Sequence, residues 1–309
     1  MLVSEPKFLT SPDVLYEVAG KSIALYGYAP EHNVYDYKYA IDEDTDNIFV
    51  SFNDDMGILA KKEKQEPIWW MLAEPLAPDL KRVEILVIFL KNIFQAQGAV
   101  QANLELMEDT YKAFIKALPD NLQAQEPSEI LTAPIFELDQ FDPELRGNKY
   151  KNIRSFVRQY HKAHTIEVLD ATKLSIKDLL DFIARWRRGR TAQDEPLDEY
   201  YMHIVRENFL GFDTARAVIS DGIIVGLNGG WRVPNGGQYY KAFGLHDYSD
   251  RALGDVMMVE ELSWLKRAGY KKADFGAGNK TLTDFKKRFH PNSYYKVYEF
   301  IVESAPALK

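Results

Sequence analysis

Apolar and polar positions in the second half of the chain alternate first with a helical period, then with a strand period, and then with both in turn. The helical period predicts helices over residues 142–162, 175–190, 196–209, 252–267 and 281–289. The alternating period predicts strands over residues 216–220, 223–231, 238–245, 272–275 and 294–301. An Asp-Gly turn and a Pro-Asn-Gly-Gly turn separate the first three strands, which predicts that they are antiparallel.

The first half of the chain repeats this order of elements in weaker form. Strands are predicted over residues 48–52, 58–61, 67–72 and 99–106, with one helix over residues 80–95. A Pro- and Gln-containing stretch, residues 119–134, is predicted to connect the halves. We therefore expect a duplicated α+β unit, with units over residues 1–135 and 136–309.

Length and composition agree with an ordinary two-domain globular protein. The 309 residues are 46% hydrophobic and 27% charged. Because the chain has no cysteine, disulfides, thiolate nucleophiles and cysteine-ligated metal sites are excluded. The longest apolar run, residues 85–94, is broken by Lys91 and is too short to span a bilayer. No signal peptide is recognisable at the amino terminus, so we expect a cytoplasmic protein with no integral membrane segment.

The charge is distributed unevenly along the chain. The net charge of −8 argues against a general nucleic-acid binder. Residues 31–60 are strongly acidic, whereas residues 146–162 and 264–290 are predominantly basic. Such basic segments favour an anionic ligand.

The turn from Asp250 to Asp255 is the clearest candidate for phosphate binding. It joins a predicted strand to a predicted helix, and the backbone N–H groups at the start of a helix attract anions. Its two acidic residues oppose an anion, so a purely structural cap at Asp250 remains an alternative.

Residues 251–289 resemble the closing half of the GNAT catalytic domain. They are more similar to the C-terminal domain of phosphatidylglycerol lysyltransferases and the related Fem-type aminoacyltransferases. The matching residues are Gly269, Gly276, Phe285, Lys286, Arg288, Phe289 and Pro291. Residues 145–154 resemble the basic helix that opens this domain, so the resemblance covers about residues 143–300. It implies an α+β fold of tandem GNAT-like units with mixed, mostly antiparallel sheets flanked by helices.

The resemblance also implies an acyltransferase. An amine or hydroxyl of a small-molecule or lipid-like acceptor would attack an acyl or aminoacyl group carried by acyl-CoA or aminoacyl-tRNA, the latter making tRNA a partner. The active site would lie in the C-terminal unit. In the N-terminal unit, Glu74 would repel an anion, and the prolines of residues 73–78 lack the N–H donors that a phosphate needs. That unit is therefore expected to be non-catalytic.

Candidate site residues follow from this assignment. The catalytic candidates are Lys280, Lys286, Arg288, His246 and Tyr295, with Asp247 as a further proton-transfer candidate. The donor-binding candidates are Arg251, Ala252, Leu253, Gly254, Arg154 and Arg158.

Two alternatives remain open at this point. The basic residues could form ordinary solvated surface, and the chain could be a non-catalytic GNAT-like module that binds an anionic partner. His161 and His164 have no third histidine nearby, so no metal is expected. The sequence leaves the oligomeric state undetermined.

Overall fold

A computed structural model describes residues 3–40, 43–71, 73–190, 198–248 and 250–305 of the 309-residue chain. Within these residues the strands are β1 (Lys7–Leu9), β2 (Thr45–Phe52), β3 (Met56–Glu63), β4 (Ile68–Met71), β5 (Gln101–Met107), β6 (Leu122–Ala124), β7 (Glu129–Glu137), β8 (Ile166–Asp170), β9 (Thr214–Ser220), β10 (Ile223–Arg232), β11 (Tyr239–His246), β12 (Lys272–Asp274) and β13 (Ser293–Ser304). The α-helices are α1 (Pro12–Tyr26), α2 (Val34–Tyr39), α3 (Asp79–Ala96), α4 (Glu108–Ala117), α5 (Lys151–Ala163), α6 (Ile176–Gly189), α7 (Asp198–Arg206), α8 (Leu253–Arg267) and α9 (Lys280–Lys287).

One sheet runs through both halves of the chain. Its strand order is β1-β2-β3-β4-β5-β13-β7-β12-β11-β10-β9-β8, and β6 pairs with β13 beside this path. The order strand, two helices, three antiparallel strands, helix, strand occurs twice, from β1 to β5 and from β8 to β12. In each copy the last two strands are parallel, β4 with β5 and β11 with β12. The structure confirms the expected α+β fold with a mixed, mostly antiparallel sheet.

The strands that follow each copy are exchanged between the halves. β7 pairs with β12 of the second copy, whereas β13, at the end of the chain, pairs with β5 of the first. β7 and β13 also pair with each other, which joins the two halves into one sheet. Residues 119–134, which were predicted to connect the halves, are not simply a loop, since they contain β6 and most of β7. The boundary between residues 135 and 136 falls inside β7 and stays a prediction.

The helix predicted from Asp142 begins at Lys151 instead. Asp142 forms an ion pair with Arg146 at 2.9 Å and accepts hydrogen bonds from the backbone N–H groups of Glu144 and Arg146. Leu145 and Gly147 have φ values of 52° and 91°, which a right-handed helix does not allow. The predicted start of the third helix at Pro196 lies outside the described residues, and its described part begins at Asp198.

Helices pack on both faces of the sheet. In the first half, α3 buries apolar residues at helical spacing, among them Ile85, Phe89 and Ile93, against β2 to β5, and α1 packs on the opposite face. In the second half, α8 covers one face, and α6 and α7 cover the other. Trp69 is only 1% exposed, in agreement with a core role. Among the helices of the described ranges, none is long and apolar enough to cross a membrane.

Candidate functional site

The parallel strands β11 and β12 separate soon after they meet. They pair only at Tyr239↔Ala273 and Tyr240↔Asp274, after which β11 continues to His246 while β12 ends. Gly276, with a φ of 73°, occupies the left-handed region just after β12. We call the opening between Lys241–His246 and the turn after Asp274 the β11–β12 gap. Along it, β11 has no strand partner on this side within the described ranges, so its backbone groups can bind an extended substrate.

Acidic and tyrosine side chains gather on one face of the sheet at this gap. This acid–tyrosine cluster consists of Glu31, Asp36, Asp274, Tyr200, Tyr240 and Tyr295. The Tyr295 hydroxyl donates to Asp274 Oδ2 at 2.9 Å, and the Gly276 N–H donates to Asp274 Oδ1 at 2.8 Å. The Tyr200 hydroxyl donates to Asp36. The cluster therefore joins the α2 region of the first half to β11, β12 and β13.

Burial makes the carboxyl groups of this cluster weaker acids. It raises the pKa of Asp274 to about 6 and that of Asp36 to about 6. It raises the pKa of Glu31 to about 8, and the nearby charges of Glu105, Asp274 and Asp36 act in the same direction. At neutral pH the cluster therefore holds a proton on Glu31, and a bound cation would favour the ionised form.

The loop that carries Glu31 is held by both halves of the molecule. His32 Nδ1 accepts from the backbone N–H groups of Tyr28 and Ala29, and its Nε2 lies 2.8 Å from the Glu74 carbonyl oxygen. Trp231, in β10, donates from Nε1 to the Pro30 carbonyl oxygen at 2.9 Å. These bonds fix the backbone on both sides of Glu31 and place its carboxyl group over the second half of the sheet.

Two lysines lie on the opposite side of the gap. Lys286 is 7% exposed and donates to the carbonyl oxygens of Phe275 and Gly276 at 2.5 and 2.9 Å. Lys241, the first residue of β11 beyond the paired region, has its Nζ 5.1 Å from the centre of the Phe275 ring. Burial lowers the pKa of both amines to about 8. Lys286 thus stabilises the turn after β12 that borders the gap. Lys241 provides a weakly basic amine beside the gap.

Of the predicted catalytic residues, the structure brings Lys286 and Tyr295 to the gap. His246 ends β11, where burial lowers its pKa to about 4, and it lies beside Gly254 at the start of α8. Arg288 instead forms an ion pair with Asp255 at 2.7 Å. Lys280 is 90% exposed and pairs with Asp284 on its own helix.

The predicted donor-binding turn is rich in carboxylate contacts. Asp250 Oδ1 accepts from the Ala252 N–H at 2.7 Å, and Asp255 in the first turn of α8 is 3% exposed. Leu253 is 1% exposed and belongs to the core, whereas Arg251 is exposed. The two carboxylates at the start of this helix would repel a pyrophosphate.

The two arginines predicted on the basic helix are placed differently from each other. Arg154 donates to the carbonyl oxygens of Leu145 and Gly147, which holds the loop before α5. Arg158 is exposed on α5, a helix that packs against α8. Neither arginine has a contact with the acid–tyrosine cluster among the interactions of the described residues.

Several residues of the gap escaped sequence reasoning. They are Glu31, Asp36, Tyr200, Tyr240, Lys241 and Asp274. The available signals were weak: Asp36 stands between two tyrosines, and Asp274 ends a short strand before Phe-Gly. The acidic excess of residues 31–60 was visible, but which of those acids are buried depends on the fold.

In the first half, the corresponding opening between β4 and β5 is filled. β4 and β5 pair from Ile68↔Gln101 to Met71↔Leu104, after which β5 continues to Met107. The Glu74 carboxylate, 3% exposed, accepts from the Met107 N–H at 2.6 Å and from the hydroxyls of Thr110 and Tyr28. This buried carboxylate occupies the β4–β5 opening.

The described part of the chain contains no group of three or more histidine, aspartate and glutamate side chains that could hold a metal ion. His164, one of the two histidines noted in the sequence, lies 2.7 Å from Asp221.

Comparison with known proteins places this geometry in a family context. The C-terminal domain of a protein described as a lysylphosphatidylglycerol synthetase from Agrobacterium fabrum superposes with a TM-score of 0.65 at 16% identity, covering 96% of this chain and 93% of that one. L-PGS from Bacillus licheniformis gives 0.66 at 14% identity, covering 96% and 92%. A tandem GNAT protein from the clavulanic acid biosynthesis pathway gives 0.59 at 11% identity, covering 98% and 100%. At these identities the similarity establishes the tandem GNAT fold.

Sequence comparison establishes the family. No curated protein sequence matches the chain significantly. The model of the family "Phosphatidylglycerol lysyltransferase, C-terminal" matches residues 38–300, which is most of the chain, and this confirms the resemblance found in the sequence. The chain therefore belongs to the phosphatidylglycerol lysyltransferase C-terminal family.

Proposed function

We propose that the protein transfers an aminoacyl group from aminoacyl-tRNA to a hydroxyl or amine acceptor at the β11–β12 gap. One observation carries this proposal: an open strand edge lies directly beside a cluster of three carboxyl groups and three tyrosines, of which Asp274 is fully buried and the others are half-buried. An aminoacyl group carries a positively charged ammonium group, which an acidic cluster can bind. A simple acyl group has no such charge.

The surroundings of α8 support the same choice of donor. Acyl-CoA would bring a pyrophosphate to the start of this helix, where Asp250 already accepts the Ala252 N–H and Asp255 is buried. Arg288 is paired with Asp255 there. Acyl-CoA is therefore the second candidate donor. The single feature that favours it is the open edge of β11.

The proposed reaction is an ester exchange or an amide formation. The acceptor oxygen or nitrogen attacks the aminoacyl carbonyl carbon, and the bond from that carbon to the tRNA ribose oxygen breaks. Asp274 is fully buried and its pKa is raised to about 6, so it would take up the acceptor's proton through the Tyr295 hydroxyl, and the proton would return to the ribose oxygen as it leaves. Tyr295 holds the Asp274 carboxylate through its hydroxyl.

The lysines and the first half have supporting parts in this proposal. Lys241 would stabilise negative charge on the carbonyl oxygen of the intermediate when protonated. Lys286 positions the turn after β12 through two carbonyl oxygens. The first half would be non-catalytic, since Glu74 fills its opening, and would contribute Glu31 and Asp36 to the site.

A transfer assay tests this function. The protein is incubated with tRNAs charged with labelled amino acids, including lysine, and with phosphatidylglycerol vesicles or small amines as acceptors. We expect label to move from acid-precipitable tRNA to one acceptor class, and binding of the tRNA to weaken steeply with salt. Thermal stabilisation by acetyl-CoA with no tRNA-dependent transfer would favour acyl-CoA instead. Salt-dependent tRNA binding without turnover of either donor would favour a non-catalytic module.

Glu31→Gln should stabilise the protein at pH 8 by about 1–2 kcal/mol, and by much less at pH 5. Because the folded-state pKa of Glu31 is raised to about 8, the folded protein keeps a proton that the unfolded chain loses. The wild type therefore loses stability as the pH rises from about 4.5 towards 8, and glutamine removes this loss. Urea unfolding at both pH values measures the difference. Glu144→Gln, an exposed control, should change stability little at either pH; an equal gain in both variants would contradict the assignment.

A further inference from the structure

A buried ion pair lies between α8 and the strands next to the gap. Arg216 of β9 donates from Nη1 to Glu261 Oε2 of α8 at 2.9 Å, and Asn228 Nδ2 of β10 donates to the same oxygen at 3.1 Å. The Arg216 and Glu261 side chains are 9% and 0% exposed. A buried ion pair seldom stabilises a fold more than apolar side chains of the same size would, so this pair favours a role beyond stability.

Two acceptor atoms of this network have no donor. Glu261 Oε1 and Asn228 Oδ1 are both buried and without a hydrogen-bond partner among the described residues. Asn228 lies between Arg216 and Gly244 in the sheet, so these three residues form a row across β9, β10 and β11. Buried acceptors are nearly always paired in folded proteins, and Gly244, at the end of the row, has no side chain that could pair them.

The Lys241 amine lies at the end of this row. A side-chain carbon at Gly244 would lie 2.5 Å from Lys241 Nζ and 3.1 Å from Asn228 Oδ1. The same amine faces the Phe275 ring on the other side of the gap. Lys241 follows Tyr240 in β11, so it points to the face of the sheet opposite to the acid–tyrosine cluster. Within the described ranges Lys241 forms no hydrogen bond or ion pair, so it is the neighbouring cation that the two free acceptors can attract.

The charged and titratable groups around this amine come from several elements. Burial lowers the pKa of Lys241 to about 8, the Glu261 charge opposes this change, and the Arg216 charge adds to it. Lys286 of α9 and His246 at the end of β11 are close enough for the Lys241 charge to lower their pKa values. Among these groups, Glu261 is the one that favours the protonated Lys241 amine.

We propose that Glu261 is a positioning residue of the transfer site, whose carboxylate keeps the Lys241 amine protonated and directed at the β11–β12 gap. This inference rests on the proposed function, in which the Lys241 ammonium stabilises negative charge on the carbonyl oxygen. Arg216 and Asn228 hold the Glu261 carboxylate in place through its other oxygen. The buried ion pair thus acts on the reaction through Lys241, and Glu261 itself touches no substrate.

NMR of protein labelled with carbon-13 at the lysine ε-carbons follows the Lys241 amine through its titration without any substrate. The signal absent from Lys241→Met is that of Lys241. In Glu261→Gln its midpoint should fall by about one pH unit, because Arg216 keeps its charge and loses its partner. In Arg216→Gln the midpoint should rise, since Lys241 then replaces Arg216 as the cation beside Glu261. Glu260→Gln is the control, because Glu260 is 26% exposed and faces His161, and it should leave the midpoint unchanged.

Single-turnover aminoacyl transfer provides the second readout. The wild-type rate should fall as the pH rises through about 8, where Lys241 loses its proton. This fall should occur about one pH unit lower in Glu261→Gln, for the same electrostatic reason. Glu261→Asp keeps the charge and should restore most of the wild-type profile.

The two readouts distinguish failure of the inference from failure of the proposed function. An unchanged Lys241 midpoint in folded Glu261→Gln, or an equal shift in Glu261→Asp, would overturn the inference. A midpoint that shifts without the rate profile would also overturn it, because Lys241 would then not act in the transfer. If Glu261→Gln does not fold, a fall of the midpoint in Arg216→Gln would overturn it. Absence of transfer from either donor, with the expected shift in the midpoint, would count against the proposed function instead.

Discussion

Replacing Asp274 with asparagine should lower the rate of aminoacyl transfer by about 100-fold or more without unfolding the protein. Asparagine keeps the size of the side chain and an oxygen that can accept from Tyr295 or Gly276, the two present donors to Asp274. It cannot accept a proton at neutral pH. Since the pKa of Asp274 is raised to about 6, the wild-type rate should rise as the pH rises through that value, and the variant should lose this dependence.

Single-turnover transfer measured from pH 5 to 8 provides the readout. Asp284→Asn is the matched control, because Asp284 lies on α9, pairs with Lys280 and Lys287 and is half exposed. Its transfer rate should be close to that of the wild type. If Asp274→Asn kept the wild-type rate and pH profile while remaining folded, Asp274 would not be the proton acceptor.

Replacing Glu74 with alanine should reduce the free energy of unfolding by about 3–4 kcal/mol. The buried carboxylate accepts from the Met107 N–H and from the hydroxyls of Tyr28 and Thr110, and alanine leaves these three donors without their acceptor. The Arg82 guanidinium stacks on Tyr28, 3.4 Å from the ring centre, and would lose the neighbouring negative charge. Urea unfolding compares the variant with the wild type.

Glu74→Gln separates the hydrogen bonds from the charge. Glutamine keeps an acceptor oxygen and nearly the same volume, so its loss of stability should be clearly smaller than that of alanine. Glu66→Ala, at an exposed position, should have little effect. If Glu74→Ala were as stable as the wild type, the Glu74 carboxylate would not stabilise the β4–β5 opening through its hydrogen bonds.

Local pattern predicted most elements of the second half because their periods are set by residues close in sequence. The helix from Leu253 to Arg267 and the strands β9, β10 and β11 lie within two residues of the predicted bounds. The failures have local causes as well. Left-handed backbone at Leu145 and Gly147 stops the helix expected from Asp142, and β7 was hidden by the prolines and glutamines around it.

The sequence predicted only part of the candidate site. Lys286 and Tyr295 were named from the sequence, and the structure brings both to the β11–β12 gap. Glu31 and Asp36 were counted only as surface charge. They reach the gap because Trp231 of the second half donates to Pro30, 201 residues away in sequence, and because His32 holds the same loop to Glu74 of the first half.

The sequence by itself determined the α+β class, the repeated order of elements and the family, since these depend on short-range periodicity and on motifs of neighbouring residues. Only the tertiary structure decided that β7 and β13 are exchanged, that Glu74 fills one opening and that three carboxyl groups border the other. The physical reason is that strand pairing and burial join residues far apart in the chain. Whether an acidic side chain is a solvated charge or a buried, weakened acid depends on what packs over it.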